Sequence, residues 1–505
     1  MFRESDLQRP LFSAGGLMGP EKREQCEKSW AGPFRAKALP LLLEHEADFA
    51  DLFDPENGRP NRPVALVLGV LILKEMFDYT DREALAGLDF DTRWWYAFEL
   101  QPHELHLCQK TLHNFRRRLM QHGKEQLVFR SVTDELIVAL GIDVSRQRMD
   151  STHILSNFAV LTRLGVFCET LRMFLAALKK GAPKVYEQLA GGILKRYGED
   201  SAYADARKGQ GPRRLAVAAR DVYRLVKRWR KDEGVAGMPE FKLVQRLFEE
   251  QVQVVQAPQE PKDDDDDHGE GAVPVVLKPA QEVGSDSLQT PHDPSVTYSG
   301  HKGKGYEGQV AETCTAGNPV QMITHVQVTP SCQSDYQHTV PALQELKDRE
   351  LLPKEMVTDT NYGGGENAAA AAEMGVNLLC PAPGPSKPKQ AVSYDKPTEP
   401  CPREAQAATQ WLTAREAQPE FQEQYAIRAG SEATNSELHR GHGTKKLRVR
   451  TDKRVKLALC LKAAACNVKR ALRYWLQQLL QAATGSGPPQ AAPMGATAVG
   501  ALAAP

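Results

Sequence analysis

Acidic residues stand at three places where the chain could bring carboxylates together. Asp150 lies in the segment RMDSTH, Asp359 lies in VTDTNY, and the segment QYAIRAGSEATNSELHR holds both Glu432 and Glu437. Sites in open α/β sheets form at strand ends, and carboxylates that converge there repel one another unless a cation holds them. Hard oxygen ligands select Mg²⁺ or Mn²⁺, and two such ions can promote attack on a phosphodiester. The alternative is that these are ordinary surface acids, as most of the 64 Asp and Glu residues are expected to be.

A strongly basic segment follows the two glutamates. Between Leu438 and Trp475 the chain has twelve Lys or Arg residues and one acidic residue, Asp452, although the whole chain is neutral. A local excess of positive charge suits a polyanion, although many helices are also basic on one face. We expect four arginines of this segment to contact phosphates rather than base edges; they are Arg448, Arg450, Arg454 and Arg470.

Length and composition indicate a large intracellular protein whose cysteines are reduced. Its 505 residues suffice for two or three domains. Nine cysteines without a CxxC pair indicate free thiols and a cytoplasmic location. The longest apolar run, VALVLGVLIL, is about half the length that a membrane span requires. We therefore expect a soluble protein with no membrane partner.

The pattern along the chain predicts an α/β fold with an all-α N-terminal domain and a helical insertion. In residues 1–140 the apolar residues recur at helical intervals. In residues 141–157 polar and apolar residues mix at short spacing, which predicts a first strand. Residues 158–291 read as a helical insertion that ends in a disordered acidic loop, KDDDDDHGE at 262–270. Residues 292–483 then read as strand, strand, helix, strand, helix, strand and further helix, which predicts a mixed sheet with flanking helices. Residues 484–505 are of low complexity, and we expect a disordered tail.

Other residues have both a functional and a structural interpretation. Lys302 and Lys304 could hold a phosphate or belong to an ordinary basic hairpin, and His153 could approach a metal or be structural. The adjacent arginines 116–118 could contact DNA or form a solvated helix face. For the aromatic run 94–96 we expect core packing, with base stacking as the minor alternative.

The motifs above resemble the DDE transposases of bacterial insertion sequences, in the group with a Tyr-x2-Arg-x3-Glu-x6-Lys signature. The segments RMDSTHILSN, VTDTNYGGGEN and YAIRAGSEATNSELHRGHGTKKLRVRT are similar to the three catalytic blocks of that family. The resemblance implies an RNase H-like catalytic core, two Mg²⁺ or Mn²⁺ ions, and strand transfer at terminal inverted repeats. It also implies that DNA is the partner, that two copies act in a synaptic complex, and that the protein associates with the nucleoid.

Carried over residue by residue, the resemblance makes Asp150, Asp359 and Glu432 the catalytic and metal-binding acids. Tyr425 and Arg428 fall on the Tyr and Arg of the signature. The signature Lys is replaced by His439, which is cationic only part of the time near pH 7. Its phosphate contact is therefore expected from a nearby cation, and the expected DNA-binding residues are Tyr425, Arg428, His439, Arg440, Lys445, Arg448 and Arg450.

A helical wheel ranks the two glutamates. If the segment is one helix, Tyr425, Arg428, Glu432 and His439 lie within about 60° of one another. Glu437 lies roughly 140° from Glu432, which predicts that it faces solvent. Two alternatives to a transposase remain open: a metal-dependent nuclease that does not transfer strands, and a catalytically inactive DNA-binding protein derived from a transposase.

Overall fold

A computed structural model of the chain describes residues 1–5, 15–100, 107–205, 209–255, 275–384 and 400–484. The predicted disorder of the acidic run at 262–270 and of the tail beyond 484 lies outside the described residues. Within them, no helix is long and apolar enough to cross a membrane.

The N-terminal region is helical, as the sequence predicts. A π-helical turn, Phe34–Ala38, joins its second and third helices, and a 3₁₀ turn, Glu46–Leu52, precedes the fourth. The helices are α1 (Pro20–Glu27), α2 (Ala31–Pro33), α3 (Leu39–Glu44), α4 (Val64–Met76), α5 (Asp81–Phe90), α6 (Thr92–Ala97), α7 (Gln109–Gln121) and α8 (Leu127–Leu140).

Helix α4 forms the centre of this region because it is apolar on every side. All thirteen of its residues are buried, as expected for a helix without a polar face. It ends where Asp78 adopts a left-handed conformation with φ of 52°. Thr80 then starts α5 through a reciprocal capping box with Glu83. The aromatic run 94–96 packs as expected, since Trp94 and Tyr96 are buried in the same core.

The first strand of the α/β region, β1 (Arg146–Ile154), is followed by the insertion. The described part of the insertion contains six α-helices, a 3₁₀ turn (Ala280–Glu282) and a small antiparallel sheet of two strands, so it is not purely helical. Its apolar residues form a core separate from that of the rest of the chain. These elements are α9 (Arg163–Gly181), α10 (Pro183–Glu187), α11 (Gly191–Tyr197), α12 (Gly211–Trp229), α13 (Glu233–Ala236), α14 (Pro239–Gln251), β2 (Val252–Val254) and β3 (Val275–Leu277).

After the insertion, the chain completes a mixed sheet around β1. The remaining strands are β4 (Thr297–Ser299), β5 (Gly303–Thr313), β6 (Ile323–Pro330), β7 (Glu355–Val357) and β8 (Asn377–Leu379). On one side, β1 pairs antiparallel with β5, which pairs antiparallel with β6 and with the short β4. On the other side, β1 pairs parallel with β7, and β7 pairs parallel with β8. The predicted succession of strands and helices along the chain is therefore observed from β5 to β8, and the strands form a mixed sheet.

Helices cover this sheet and complete the core. They are α15 (Thr339–Asp348), α16 (Gly365–Glu373), α17 (Ala405–Glu416), α18 (Pro419–Tyr425), α19 (Gly430–His442) and α20 (Asp452–Thr484). Helix α20 contributes to two apolar clusters: one shared with the N-terminal helices and one against β5 and β6. The N-terminal helices and the sheet therefore share one continuous core.

The helical segment predicted between residues 403 and 429 is interrupted twice. Gln418 has an extended backbone and Pro419 begins α18, because proline has no amide hydrogen to continue the preceding helix. A 3₁₀ turn, Ala426–Ala429, then separates α18 from α19. The helical wheel that joined Tyr425 and Arg428 to Glu432 is therefore wrong for its first two members.

A partly buried carboxylate on α15 ties the helices to the sheet. Glu345 accepts a hydrogen bond from His325 of β6 at 2.8 Å and pairs with Arg349 and Arg130, each at 2.9 Å. Burial raises the pKa of Glu345, but the His325 hydrogen bond and the nearby positive charges outweigh burial. The net effect is a pKa lowered from 4.5 to about 2. The carboxylate thus stabilises the fold only while it is ionised.

We predict that Glu345→Gln lowers the free energy of unfolding by up to about 3 kcal/mol at neutral pH. Because its pKa is depressed, the Glu345 contribution is complete above the ordinary value of 4.5 and is lost as pH falls toward about 2. The stability difference between the variant and the wild type should shrink over this range in urea titrations. Glu350→Gln, at an exposed position in the same region, is the control, and a pH-independent difference for Glu345→Gln would contradict the prediction.

Candidate active site

Asp150 and Asp359 lie side by side because of the parallel pairing of two strands. Arg148 of β1 is in register with Val357 of β7, and each aspartate lies two residues beyond its member of that pair. Side chains two residues apart in a strand point to the same face. The Arg428 guanidinium reaches both carboxylates from the 3₁₀ turn, with Nη2 at 3.4 Å from Asp150 Oδ2 and 3.8 Å from Asp359 Oδ2.

These two carboxyl groups are short of positive charge. Burial raises the pKa of Asp150, and the neighbouring charge of Asp359 raises it further, against the opposing charge of Arg428. Burial also raises the pKa of Asp359, and again Arg428 opposes the shift without cancelling it. Two partly buried acids that share one arginine favour an additional cation.

Glu432, the third predicted acid, is exposed on the first turn of α19. The residue before it, Ser431, donates a hydrogen bond to Asp150 Oδ2 at 3.2 Å. Glu432 itself forms no hydrogen bond or ion pair with any residue that the structure describes. Among those residues, only Glu437, His442 and Cys466 form a set of three potential metal ligands whose ligand atoms all lie within 4.8 Å of one another. The structure thus brings Asp150 and Asp359 together and places Glu432 next to a contact of Asp150, but the three acids do not converge to that distance.

Asp335 is a fourth acid at the site that the sequence analysis did not identify. It lies in a 3₁₀ turn, Asp335–His338, after β6, and its carboxylate accepts hydrogen bonds from Ser151 Oγ at 3.3 Å and Gln309 Nε2 at 3.1 Å. Its charge contributes to the raised pKa of Asp359. Like Asp359, it follows the end of a strand, and this position was the signal that could have identified it.

Lys302 lies against the same acids. Its Nζ donates to Ser151 Oγ at 2.8 Å, pairs with Glu307 at 2.9 Å and lies 3.9 Å from Asp335. Glu307 also contacts His153 Nδ1 at 3.0 Å, so His153 has a structural partner. Lys304 instead donates to the Leu161 carbonyl at the base of the insertion.

Gly430 allows α19 to approach β1 closely. A β-carbon at this position would lie 1.8 Å from Nη1 of Arg148. That guanidinium is buried, donates to the Ile427 carbonyl at 2.8 Å, and pairs with Glu312 of β5 at 2.8 Å. The three glycines at 363–365 also allow close packing, against Cys380, Tyr336 and Ala405 respectively.

Glu437 does not face solvent, contrary to the wheel prediction. It pairs with Arg470 of α20 at 2.8 Å, and Arg470 also pairs with Glu312 at 3.2 Å. Burial raises the pKa of Glu437, but the charges of Arg470, His442 and Arg473 and the Arg470 hydrogen bond lower it more. The wheel was correct that Glu437 points away from Glu432, but the surface on that side is covered by α20.

The basic residues proposed to contact phosphates divide into two groups. Arg470 is engaged in the buried ion pairs just described, so its assignment as a phosphate contact is wrong. Arg448 donates to the Tyr79 carbonyl and pairs with Asp78, and Arg450 donates to the Asn157 carbonyl, yet both are exposed. The side chains of Arg440, Lys445 and Arg454 are exposed.

Two of the three adjacent arginines on α7 also have structural partners. Arg116 pairs with Asp81 of α5, and Arg118 lies over the ring of Phe53 at 4.9 Å. Arg117 is exposed. Of the three, only Arg117 is fully exposed, and a DNA contact by the whole set stays a prediction.

Tyr425 and His439 are half-buried beside the acids. The Tyr425 ring stacks on Phe421 at 5.3 Å, and burial raises its pKa to about 12. His439 Nε2 is 2.7 Å from the Thr152 hydroxyl of β1. Burial, with help from the charges of Lys445 and His153, lowers the pKa of His439, so the residue at the signature Lys position is neutral at pH 7.

We predict that Glu437→Gln and Glu432→Gln differ in stability. Glu437→Gln removes the partner of a largely buried Arg470 and should lower the free energy of unfolding by about 2 kcal/mol. Glu432→Gln should change it by less than about 0.5 kcal/mol, because the side chain is exposed. Denaturant midpoints of the two variants would measure this, and equal midpoints would contradict the ion-pair assignment.

Comparisons with known proteins agree with the resemblance seen in the sequence. Residues 395–472, which include Tyr425, Arg428, Glu432 and His439, match a family model described as "Transposase DDE domain". Residues 35–118, which include helices α3 to α6 and most of α7, match a model described as "Transposase domain (DUF772)". No curated protein and no solved structure gave a match. The two matches, at separate ends of the described chain, support a DDE transposase.

Proposed function

We propose that the protein is a DDE transposase that cleaves DNA at the terminal inverted repeats of an insertion sequence and transfers the freed ends to target DNA. The observation that carries this proposal is the pair Asp150, in β1, and Asp359, just beyond the parallel strand β7, with Arg428 in contact with both. The match of residues 395–472 to a DDE transposase domain supports it, because that match includes Glu432. The transposase matches also support DNA as the partner. In this proposal, two copies of the chain hold the two element ends together.

The arrangement of the sheet supports an RNase H-like core. Three antiparallel strands, β6, β5 and β1, continue into two parallel strands, β7 and β8, with α15 and α16 as the connections. Along the chain, the insertion separates β1 from the other strands of this sheet. The acids therefore lie on the central strand and beside its parallel neighbour, where loops from both can reach them.

The residues at the site fit divalent metal ions. Asp150, Asp359 and Glu432 would hold two Mg²⁺ or Mn²⁺ ions, because carboxylate oxygens are the ligands these ions prefer. When bound, the ions lower the pKa of an attacking water or 3′-hydroxyl and stabilise the charge that develops on phosphate oxygens. The raised pKa of Asp150 and of Asp359 shows that Arg428 alone does not satisfy the two carboxyl groups.

The cations near Glu432 position the DNA in this proposal. His439 is neutral at pH 7, so the phosphate contact expected of the signature Lys falls to exposed neighbours. Arg440 lies next to it on α19, and Lys445 follows the end of that helix. Arg428 contacts both aspartates, and Tyr425 packs on Phe421 of helix α18. Arg448 and Arg450 extend the same surface toward the N-terminal helices and the insertion.

We predict that Asp150→Ala, Asp359→Ala and Glu432→Gln each reduce cleavage of element-end DNA by at least about 10³-fold. DNA binding should remain within a few-fold of wild type, because the phosphate contacts are untouched. Gel assays with Mg²⁺ would measure cleavage, and binding would be measured without divalent ions. Glu420→Gln, at an exposed position on α18, serves as the control, and retained cleavage by Asp359→Ala would overturn the proposed site.

A second assay separates a transposase from a nuclease. A pre-cleaved element end with a free 3′-hydroxyl, incubated with a target plasmid and Mg²⁺, should yield joined products. Cleavage without joining would identify a metal-dependent nuclease. Binding to element ends without either reaction would identify an inactive DNA-binding protein.

A further inference from the structure

The insertion carries a basic helix face that the candidate active site does not use. On α12, four cations follow one another at intervals of seven, four and three residues; they are Arg213, Arg220, Arg224 and Lys227. At about 100° per residue, these intervals place the four side chains within about 60° of one another. At about 1.5 Å per residue, they run for about 21 Å along the helix. We call these four residues the α12 stripe.

The rest of the helix is packed so that the stripe faces outward. Ala218, Val222, Leu225 and Trp229 are buried in the separate core of the insertion. Their positions on the helical wheel centre about 160° from the stripe. Arg213, Arg224 and Lys227 are exposed and Arg220 is half-buried. The apolar face therefore anchors α12 and leaves the stripe at the surface.

The stripe contains no acidic residue of α12. The single acidic residue of α12, Asp221, is buried and already paired with Arg196 at 2.8 Å. No carboxylate in the described part of the chain forms an ion pair with Arg213, Arg220 or Lys227. An ordinary solvated helix face mixes charges of both signs, whereas this face has one sign only.

We propose that the α12 stripe is a second DNA-binding surface, which holds the phosphate backbone away from the catalytic acids. This proposal rests on the proposed function. Duplex DNA has one negative charge for about every 1.7 Å of its axis, so a stripe of about 21 Å faces many phosphates at once. Contacts of this kind position the duplex without reading its sequence.

DNA fits the stripe better than a membrane does. A helix that binds a membrane surface inserts its apolar face into the lipid. The apolar face of α12 is already buried within the insertion, so α12 could bind a membrane only through the charges of the stripe. A surface of this type suits a long, regular polyanion.

The test compares two full-length triple variants with the same change in charge. The first combines Arg213→Gln, Arg220→Gln and Lys227→Gln. The control combines Lys179→Gln, Lys180→Gln and Lys184→Gln, which are exposed residues on α9 and α10 of the same insertion. Binding to a long mixed-sequence DNA duplex is measured over a range of salt concentrations without divalent ions, so that cleavage does not intervene.

The stripe variant should bind more weakly, and its plot of log affinity against log salt should be less steep by two to three units, at about 0.9 per lost phosphate contact. The control should keep the wild-type slope. The single variant Lys227→Gln should change the slope by about 0.9, which gives the same test with minimal disturbance of the helix. Glutamine preserves helix propensity, and circular dichroism verifies that both triple variants are folded.

The outcomes separate this proposal from the proposed function. If the wild-type protein does not bind DNA, the proposed function itself fails. If it binds DNA but the stripe variant keeps the wild-type slope, or the control loses as much as the stripe variant, only the stripe proposal is overturned. Stripe-dependent binding to phosphatidylserine vesicles or to polyglutamate that is tighter than binding to the duplex would also overturn it, in favour of a membrane or an acidic protein.

Discussion

A buried chain of alternating charges holds helix α19 against the sheet. Arg148 of β1 pairs with Glu312 of β5, Glu312 with Arg470 of α20, and Arg470 with Glu437 of α19. Arg148 and Glu312 are only 3% and 2% exposed. Buried charges are costly unless each one is paired and hydrogen-bonded, so this arrangement strongly disfavours any other placement of α19. The helix that carries Glu432 is thus oriented by residues behind the site.

In front of this chain, the acids have the opposite electrostatic situation. Asp150, Asp359 and Asp335 are close enough to influence one another, and Arg428 and Lys302 provide the cations that contact them. Charges in the buried chain are matched for stability, whereas the neighbouring cluster of Asp150, Asp359 and Asp335 is left with an excess of acid. Perturbed pKa values of this kind are typical of functional sites, although ion-pair networks also produce them. A scaffold that balances its buried charges can hold an unbalanced cluster at the surface.

The insertion interrupts the sheet without disturbing it because of where it leaves and returns. It begins after β1, and the chain returns to the sheet through β4 and β5. Strands β1 and β5 are paired, with Ile154 opposite Tyr306 at the end nearest the insertion. The antiparallel ladder therefore closes the base of the insertion with backbone hydrogen bonds. The apolar residues of the insertion form their own core. The sheet packs against α20 in a different core. This separation leaves the outer face of α12 free to take on a role of its own.

The order of strands and helices from β5 to β8 follows from the sequence alone, because local apolar spacing and the glycine and proline breaks are encoded in neighbouring residues. The same patterns predicted Asp150 within the first strand and Asp359 after an apolar strand, which agrees with their positions in β1 and just beyond β7. The ion pair of Glu437 and the burial of Arg470 could not be predicted from the sequence, because each depends on a partner more than thirty residues away. The position of Asp335 after a strand was visible in the sequence, but its contact with Ser151 was not, because it is also long-range. Strand register and the docking of α20 decided which acids meet and which cations are used internally, since these are long-range contacts with no local signal.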